Sequence, residues 1–177
     1  MEPLRKNLLI TGLPGVGKTT LIRGLAPKLE DFNPVGFYTA EIRERGVRKG
    51  FELISLNGRR TVLSHVDIRS DHRVGRYRVD IDGFENFLTS LPFGDPRRTL
   101  AIIDEIGKME CFSARFRKVL FELLDSKRWV IATIALKGGG IIEEIKRRQD
   151  IRLFDIHPGN RESLVADILK AIGVPDV

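Results

Sequence analysis

The chain of 177 residues carries 30 lysines and arginines against 24 aspartates and glutamates, so its formal net charge is +6. With 42% apolar residues it is long enough to bury a substantial core, and we expect one globular domain over residues 1–177. The apolar runs are too short for a membrane span, and the N-terminal residues show no signal-peptide pattern. The single cysteine, Cys111, excludes an internal disulfide. Together these features predict a cytoplasmic protein.

A glycine-rich segment stands between the first two predicted elements. Leu8–Ile10 predicts a buried strand, and apolar residues spaced by three and four from Leu21 to Leu29 predict a helix. The segment between them matches G-x-x-x-x-G-K-[ST] in full, with Gly12, Leu13, Pro14, Gly15, Val16, Gly17, Lys18 and Thr19.

The residue types of this segment suit a triphosphate. The three glycines lack a Cβ, so the backbone can curve and direct its N–H groups at phosphate oxygens. Lys18 can reach the β- and γ-phosphates, and the Thr19 hydroxyl is an oxygen ligand of the kind Mg²⁺ prefers. The segment therefore predicts a site for a nucleoside triphosphate with Mg²⁺, with Thr19 as a metal ligand.

The middle of the chain predicts short strands joined by tight turns. Strands are expected at 35–42, 50–56 and 60–63, and Asn57-Gly58 is a strong hairpin signal between the last two. Such short connections require antiparallel pairing. A short strand near 74–80 and a helix over about 83–91 are expected to follow.

The second half alternates apolar strands with amphipathic helices. Strands are predicted at 99–104, 129–134 and 151–156, with a helix after each, and Asn160 is expected to cap the last helix. This alternation predicts an α/β fold in which a mostly parallel sheet is flanked by helices on both faces, with an antiparallel hairpin insertion around 35–63. Ligands of such sheets bind beyond the carboxyl ends of the strands.

Two acids close the strand of residues 99–104. Asp104 follows the apolar run directly and is a candidate Mg²⁺ ligand. Glu105 is a candidate general base that orients or deprotonates an attacking water. The alternative is that Glu105 is a surface acid in a turn.

The run Asp104–Glu110, together with the glycine-rich segment, resembles the nucleoside-triphosphatase family typified by the thermostable archaeal and bacterial enzymes and the human cancer-related nucleoside-triphosphatase. The resemblance covers nearly the whole chain, including an Asn-Arg pair at 160–161. It implies a P-loop NTPase fold in three layers and Mg²⁺-dependent removal of the γ-phosphate from ATP, GTP, CTP and UTP. It also implies nucleotide contacts over Gly12–Thr19 and along the second motif, namely Leu100, Ala101, Ile102, Ile103, Asp104, Glu105, Ile106 and Gly107.

Other basic residues are candidates for supporting roles. Lys108 is a candidate catalytic residue, because it could neutralise charge developing on the transferred phosphoryl group. Arg48, Arg76 and Arg78 are candidate arginine fingers or, alternatively, structural surface residues. Lys137, with the glycines after it, is a candidate for the base or phosphate edge, and a plain turn is the alternative.

Two other functions remain open from the sequence. A small-molecule or nucleotide kinase would use the same phosphate site, with Arg147 and Arg148 in a lid that excludes water. A nucleotide-gated module that binds RNA or a protein is suggested by the net charge, although the basic residues are scattered. The sequence sets neither the oligomeric state nor the base preference.

Overall fold

A computed structural model describes residues 5–174, and within that range nine strands form one sheet. The strand order is β5-β6-β4-β3-β2-β7-β8-β1-β9. The strands are β1 (Asn7–Thr11), β2 (Val35–Glu44), β3 (Val47–Ser55), β4 (Arg60–His65), β5 (Arg73–Val74), β6 (Tyr77–Val79), β7 (Leu100–Ile106), β8 (Trp129–Ile134) and β9 (Ile151–Asp155).

The sheet has a parallel half and an antiparallel half. Strands β2, β7, β8, β1 and β9 are parallel neighbours. Strands β3, β4, β6 and β5 continue the sheet beyond β2 by antiparallel pairing. The expected α/β fold is confirmed, and the antiparallel part extends to Val79, further than the hairpin expected at 35–63. Its first strand, β2, also belongs to the parallel half.

Helices cover both faces of the sheet. One face carries α1 and α5, and the other carries α2, α3 and α4. The helices are α1 (Lys18–Leu25), α2 (Ile81–Ser90), α3 (Ala114–Asp125), α4 (Ile141–Lys146) and α5 (Arg161–Ile172), with 3₁₀ segments at Ala26–Phe32 and Glu110–Phe112.

The two cores follow from the period-2 alternation of the central strands. On β1, Leu8 and Ile10 point to the core beneath α1 and α5, whereas Leu9 points to the opposite core. On the latter side, Phe37 makes edge-to-face contacts with Phe84 and Phe87 of α2, at centroid distances of 6.2 and 5.8 Å. The sheet is therefore buried on both faces, as expected for its apolar strands.

The first helix is shorter than its apolar stripe suggests. The chain passes from α1 into a 3₁₀ segment after Leu25. Pro27 lacks the N–H that would bond the carbonyl of Arg23, and its ring crowds that carbonyl, so an α-helix cannot continue through it. Leu29 is nevertheless fully buried, and it lies at a kink within this segment, where its φ and ψ angles of −118° and 19° are not helical.

Strand direction determines where the functional groups meet. β1, β7 and β8 run parallel, so their last residues, Thr11, Ile106 and Ile134, lie at the same edge of the sheet, and the glycine-rich segment follows Thr11.

Within residues 5–174 the structure has no helix with both the length and the apolar character that crossing a bilayer requires.

Candidate active site

The glycine-rich segment forms a tight loop between β1 and α1. Gly15 and Gly17 adopt positive φ angles of 76° and 108°, which a residue with a Cβ rarely tolerates. Lys18, the first residue of α1, donates hydrogen bonds to the carbonyls of Gly12 (2.9 Å) and Leu13 (3.1 Å). The ammonium group is therefore held inside the loop, where a phosphate would be bound.

Asp104 is the centre of a hydrogen-bond network that joins four elements. Its Oδ2 accepts hydrogen bonds from the Thr19 hydroxyl (2.7 Å) and the Thr39 N–H (3.1 Å), and its Oδ1 accepts one from the Thr133 hydroxyl (2.6 Å). The Thr39 hydroxyl also donates to the Asp104 carbonyl. The buried carboxylate is thus fixed directly beside Thr19, as the two predicted metal ligands require.

Glu105 lies beside this network and is only partly accessible to solvent. Burial raises the pKa of its carboxyl group, and repulsion from Asp104 adds to this effect. The nearby Lys18 ammonium acts in the opposite direction and lowers the pKa. A partly desolvated carboxylate close to Lys18 remains a candidate base.

A bulge sets the positions of the two acids. β7 was expected to end at Asp104, but it continues to Ile106. Ile103 pairs with Ala132 and Ile106 with Ile134, so β7 has one extra residue between these pairs. Such a bulge re-aims side chains next to active sites, and this one lies at the two acids.

The other residues of the second motif serve the core. Leu100, Ala101, Ile102, Ile103 and Ile106 are at most 1% exposed, and their side chains alternate between the two cores. They hold the strand in place and present no side chain to a nucleotide. Within 100–107, Asp104, Glu105 and the backbone around Gly107 remain the candidates for nucleotide contact.

Three residues that lie close to Asp104 or Glu105 were not assigned a role from sequence. Thr133 is a hydroxyl-bearing residue in an otherwise apolar strand. This polar position is the one local signal that could have marked Thr133 as a candidate site residue. Thr39 gives no such signal, because its contact with Asp104 depends on the pairing of β2 with β7. Glu110 is a buried acid close to Glu105 and was noted only as part of the motif.

A basic cleft of about 660 Å³ adjoins the end of β7. Its charged lining consists of Lys108, Arg117 and Lys137, and Ile141 and Ile142 provide part of the apolar wall. Lys108 and Lys137 are exposed, and neither forms a hydrogen bond or ion pair within the described part of the chain. The structure thus places both predicted lysines on one cleft.

The side chains of the candidate arginine fingers form hydrogen bonds and ion pairs with residues of the antiparallel half and its connecting loops. Arg48 donates to Tyr77 Oη (2.9 Å) and pairs with Glu41 (2.9 Å). Arg76 donates to the Arg48 carbonyl (2.7 Å) and to Tyr77 Oη (3.2 Å). Arg78 donates to the Ser70 carbonyl (2.6 Å). These contacts support the structural interpretation of the three arginines.

The predicted lid arginines differ from each other. Arg148 forms ion pairs with Asp125 and Asp150, each at 2.7 Å. Its guanidinium is therefore engaged by these acids and is not directed over the phosphate site as a lid residue would be. Arg147 is exposed at the end of α4.

Asn160 and Arg161 lie near the glycine-rich loop. Asn160 occupies the N-cap position of α5, but its side chain makes no capping hydrogen bond, so the predicted cap is wrong. The side chain instead accepts from the His157 N–H (2.8 Å) and donates to the Asp155 carbonyl (2.8 Å). Arg161 Nε lies 3.5 Å from the position that a Cβ on Gly17 would occupy, which adds a positive charge beside the loop.

Comparisons with known proteins identify the family and relatives of this chain. Residues 7–169 match the family described as NTPase. The chain is 44% identical over 167 residues to nucleoside-triphosphatase THEP1 of Thermotoga sp. (strain RQ2), covering 94% of this chain and 95% of that protein. It is 37% identical over 185 residues to the cancer-related nucleoside-triphosphatase of Homo sapiens, covering 96% and 97%.

Two solved structures share the fold. The crystal structure of THEP1 from the hyperthermophile Aquifex aeolicus superposes with a TM-score of 0.79 at 33% identity, covering 94% of this chain and 99% of that one. The solution structure of a human cancer-related nucleoside triphosphatase gives a TM-score of 0.78 at 34% identity, covering 97% and 99%. The loop, the acidic pair and these likenesses together show that the chain belongs to the NTPase family of P-loop nucleoside-triphosphatases.

Proposed function

We propose that this protein hydrolyses nucleoside triphosphates to the diphosphate and inorganic phosphate in a Mg²⁺-dependent reaction. One observation carries the proposal: Lys18, Thr19, Asp104 and Glu105 meet at one edge of the sheet. The relatives named above are nucleoside-triphosphatases, which supports the same reaction for this chain.

The donor set next to the loop fits Mg²⁺. Thr19 Oγ1 and Asp104 Oδ2 are oxygens 2.7 Å apart, and Mg²⁺ in phosphate sites uses one or two protein oxygens together with substrate phosphates and water. When bound, the ion would neutralise charge on the β- and γ-phosphates. Thr19 and the carboxylate of Asp104 would hold it, with Thr39 and Thr133 fixing that carboxylate.

The chain's own residues account for the chemical step. The backbone N–H groups of the loop and the Lys18 ammonium bind the triphosphate and place its terminal phosphorus near Glu105. Glu105 accepts a proton from a water molecule as the water oxygen bonds to that phosphorus. The bond to the bridging oxygen breaks, and its electron pair leaves with the nucleoside diphosphate.

We further propose that the reaction tolerates different bases. The sequence lacks the Asn-Lys-x-Asp type of guanine reader, and the residues assigned above act on phosphates only. Lys108, at the rim of the cleft next to Gly107, would reduce the charge that develops on the transferred phosphoryl group.

The test is phosphate release from ATP, GTP, CTP and UTP, with Mg²⁺ and with EDTA, for the wild-type protein and Glu105→Gln. We expect hydrolysis of all four nucleotides only with Mg²⁺, and a kcat lower by about 10²–10⁴-fold in the variant. Nucleotide affinity should stay within a few-fold. Undiminished turnover by Glu105→Gln would remove Glu105 from this role.

The basic cleft supports a second candidate, transfer of the phosphoryl group to an acceptor other than water. A cleft of about 660 Å³ with three cationic side chains, among them Lys108, could hold a small anionic acceptor near the end of β7. ATP consumption should be compared with and without a panel of nucleosides, nucleotides and phosphorylated or carboxylated small molecules. Consumption far above the ATP-only rate, with a phosphorylated product, would favour a kinase.

A further inference from the structure

Glu110 and Glu105 converge on one point next to Gly107. A Cβ built on Gly107 would lie 2.8 Å from Glu105 Oε1 and 2.9 Å from Glu110 Oε2. No side chain larger than that of glycine fits there without displacing a carboxyl group. The glycine thus permits the two acids to approach each other.

The segment that carries Glu110 is held from several sides. The Cys111 N–H donates to the Gly107 carbonyl (3.0 Å), which closes the turn around Glu110. Arg117 of α3 donates to the carbonyls of Cys111 (2.7 Å) and Phe112 (3.2 Å). The Ser113 N–H donates to the carbonyl of Glu110 itself (3.1 Å). These contacts hold the backbone that places the Glu110 carboxyl group beside Gly107.

The surroundings of Glu110 favour its neutral form. The residue is 5% exposed, and within residues 5–174 no cationic side chain forms a hydrogen bond or ion pair with it. Burial raises the pKa of Glu110 to about 8, and repulsion from Glu105 and Asp104 contributes, against backbone N–H groups of Glu110 and Gly107 that lower it. A carboxylic acid kept neutral at pH 7 is a hydrogen-bond donor.

A buried acid without a cation destabilises a fold, and an apolar residue of similar size would pack there more favourably. Its presence beside a catalytic carboxylate therefore calls for a role at that carboxylate.

We propose that Glu110 is a positioning residue: its carboxylic acid donates a hydrogen bond to the Glu105 carboxylate, directly or through one water molecule, and holds that group toward the terminal phosphate. This role rests on the proposed function of Glu105 as the base. Glu110 touches neither the nucleotide nor the attacking water.

The experiment compares Glu110→Gln, Glu110→Leu and Gly107→Ala in the full chain, with the exposed Glu122→Gln on α3 as a control for loss of an acid. The amide of the glutamine variant can still donate, so its kcat should stay within about 5-fold of wild type. Glu110→Leu and Gly107→Ala should lower kcat by about 100-fold, the effect of misplacing a catalytic group by about 1 Å, with KM for ATP nearly unchanged. Glu122→Gln should match wild type.

A double variant separates positioning from a general effect on the fold. In the Glu105→Gln background, adding Glu110→Leu should lower kcat no further, because the group that Glu110 positions is already disabled. A further fall of about 100-fold would overturn the proposal.

Other outcomes are equally decisive. A folded Glu110→Leu variant with wild-type kcat would overturn the proposal, even if Glu105→Gln were inactive and the proposed function held. If the leucine variant fails to fold, the glutamine variant decides: a 100-fold loss of kcat there contradicts a donor role. Full activity of Glu105→Gln would instead remove Glu105 from its role as the base, on which this proposal rests, and would leave nucleoside-triphosphate hydrolysis itself in place.

Discussion

Thr133 donates a hydrogen bond of 2.6 Å to Oδ1 of Asp104 from β8, the strand that lies between the loop strand β1 and the acid strand β7. The strand that separates the two motifs therefore also links them. Thr133 leaves Oδ2 of the same carboxylate to face Thr19, where the metal is proposed to bind. A buried hydroxyl in a central strand thus orients the carboxylate of Asp104.

Thr133→Val should weaken both metal binding and the fold. The substitution keeps the shape of the side chain but leaves the buried Oδ1 without its donor, which costs about 1–3 kcal/mol of stability. The Mg²⁺ concentration for half-maximal activity should rise about 10-fold. Thr133→Ser retains the hydroxyl and is the control. Urea unfolding and a Mg²⁺ titration of phosphate release measure the two effects, and unchanged values for both would show that the hydrogen bond is unimportant.

Lys18→Met should reduce nucleotide affinity. The ammonium is held in the loop by the carbonyls of Gly12 and Leu13, and removing it withdraws the charge expected to face the β- and γ-phosphates. Loss of one partner from such a charge pair costs about 2–5 kcal/mol, so the Kd for ATP should rise by at least about 30-fold in a calorimetric titration. Lys28→Met, at an exposed position, is the matched control. Equal affinities of the two variants would contradict this account.

Glu110 should make the stability of the nucleotide-free protein depend on pH. Its pKa is raised from 4.5 to about 8, so between these values the unfolded chain has lost a proton that the folded chain retains. The contribution of Glu110 to stability is therefore fully present below about pH 4.5 and is lost as the pH rises toward 8, about 5 kcal/mol in all. Glu110→Gln lacks this group. The free energy of urea unfolding of the wild type should therefore fall relative to that of the variant from pH 5 to pH 8. A difference that stays constant over this range would contradict the prediction.

Asn160→Asp tests whether the Asn160 side chain stabilises the preceding loop or caps the helix α5. Aspartate is at least as good an N-cap as asparagine, so a capping role predicts no loss of stability. The observed side chain donates to the Asp155 carbonyl, and a carboxylate would lose that bond and repel the carbonyl oxygen. We expect a loss of about 1 kcal/mol in urea unfolding. Asn160→Ala should show a similar loss, because it removes both contacts.

The sequence was sufficient for the features that depend on local patterns. The loop Gly12–Thr19, the acidic pair at 104–105 and the alternation of strands and helices follow from spacing and periodicity, and the structure contains all of them. Element ends were less predictable. The apolar spacing predicted one helix as far as Leu29, because Leu29 is buried as the pattern requires. The α-helix nevertheless ends before Pro27, and a 3₁₀ segment follows.

The contacts that complete the site depend on pairing between distant segments. Thr39 reaches Asp104 because β2 is aligned with β7, and Thr133 reaches it because β8 is inserted between β7 and β1. Strand order is not encoded in any local pattern, so neither threonine could be placed beside Asp104 in advance. Asn160 shows the same limit: its position suggested a cap, but the fold of the preceding loop offers its side chain better partners.

The direction of β8 has a practical consequence for spectroscopy. The strand begins at Trp129, the only tryptophan of the chain, and reaches Thr133 four residues later, about 13 Å along the strand. The indole therefore lies toward the end of β8 opposite to the edge where the phosphate is proposed to bind. We expect its emission to report disruption of the sheet with little quenching by a bound nucleotide, so unfolding curves can be recorded with and without ATP from the same unlabelled sample.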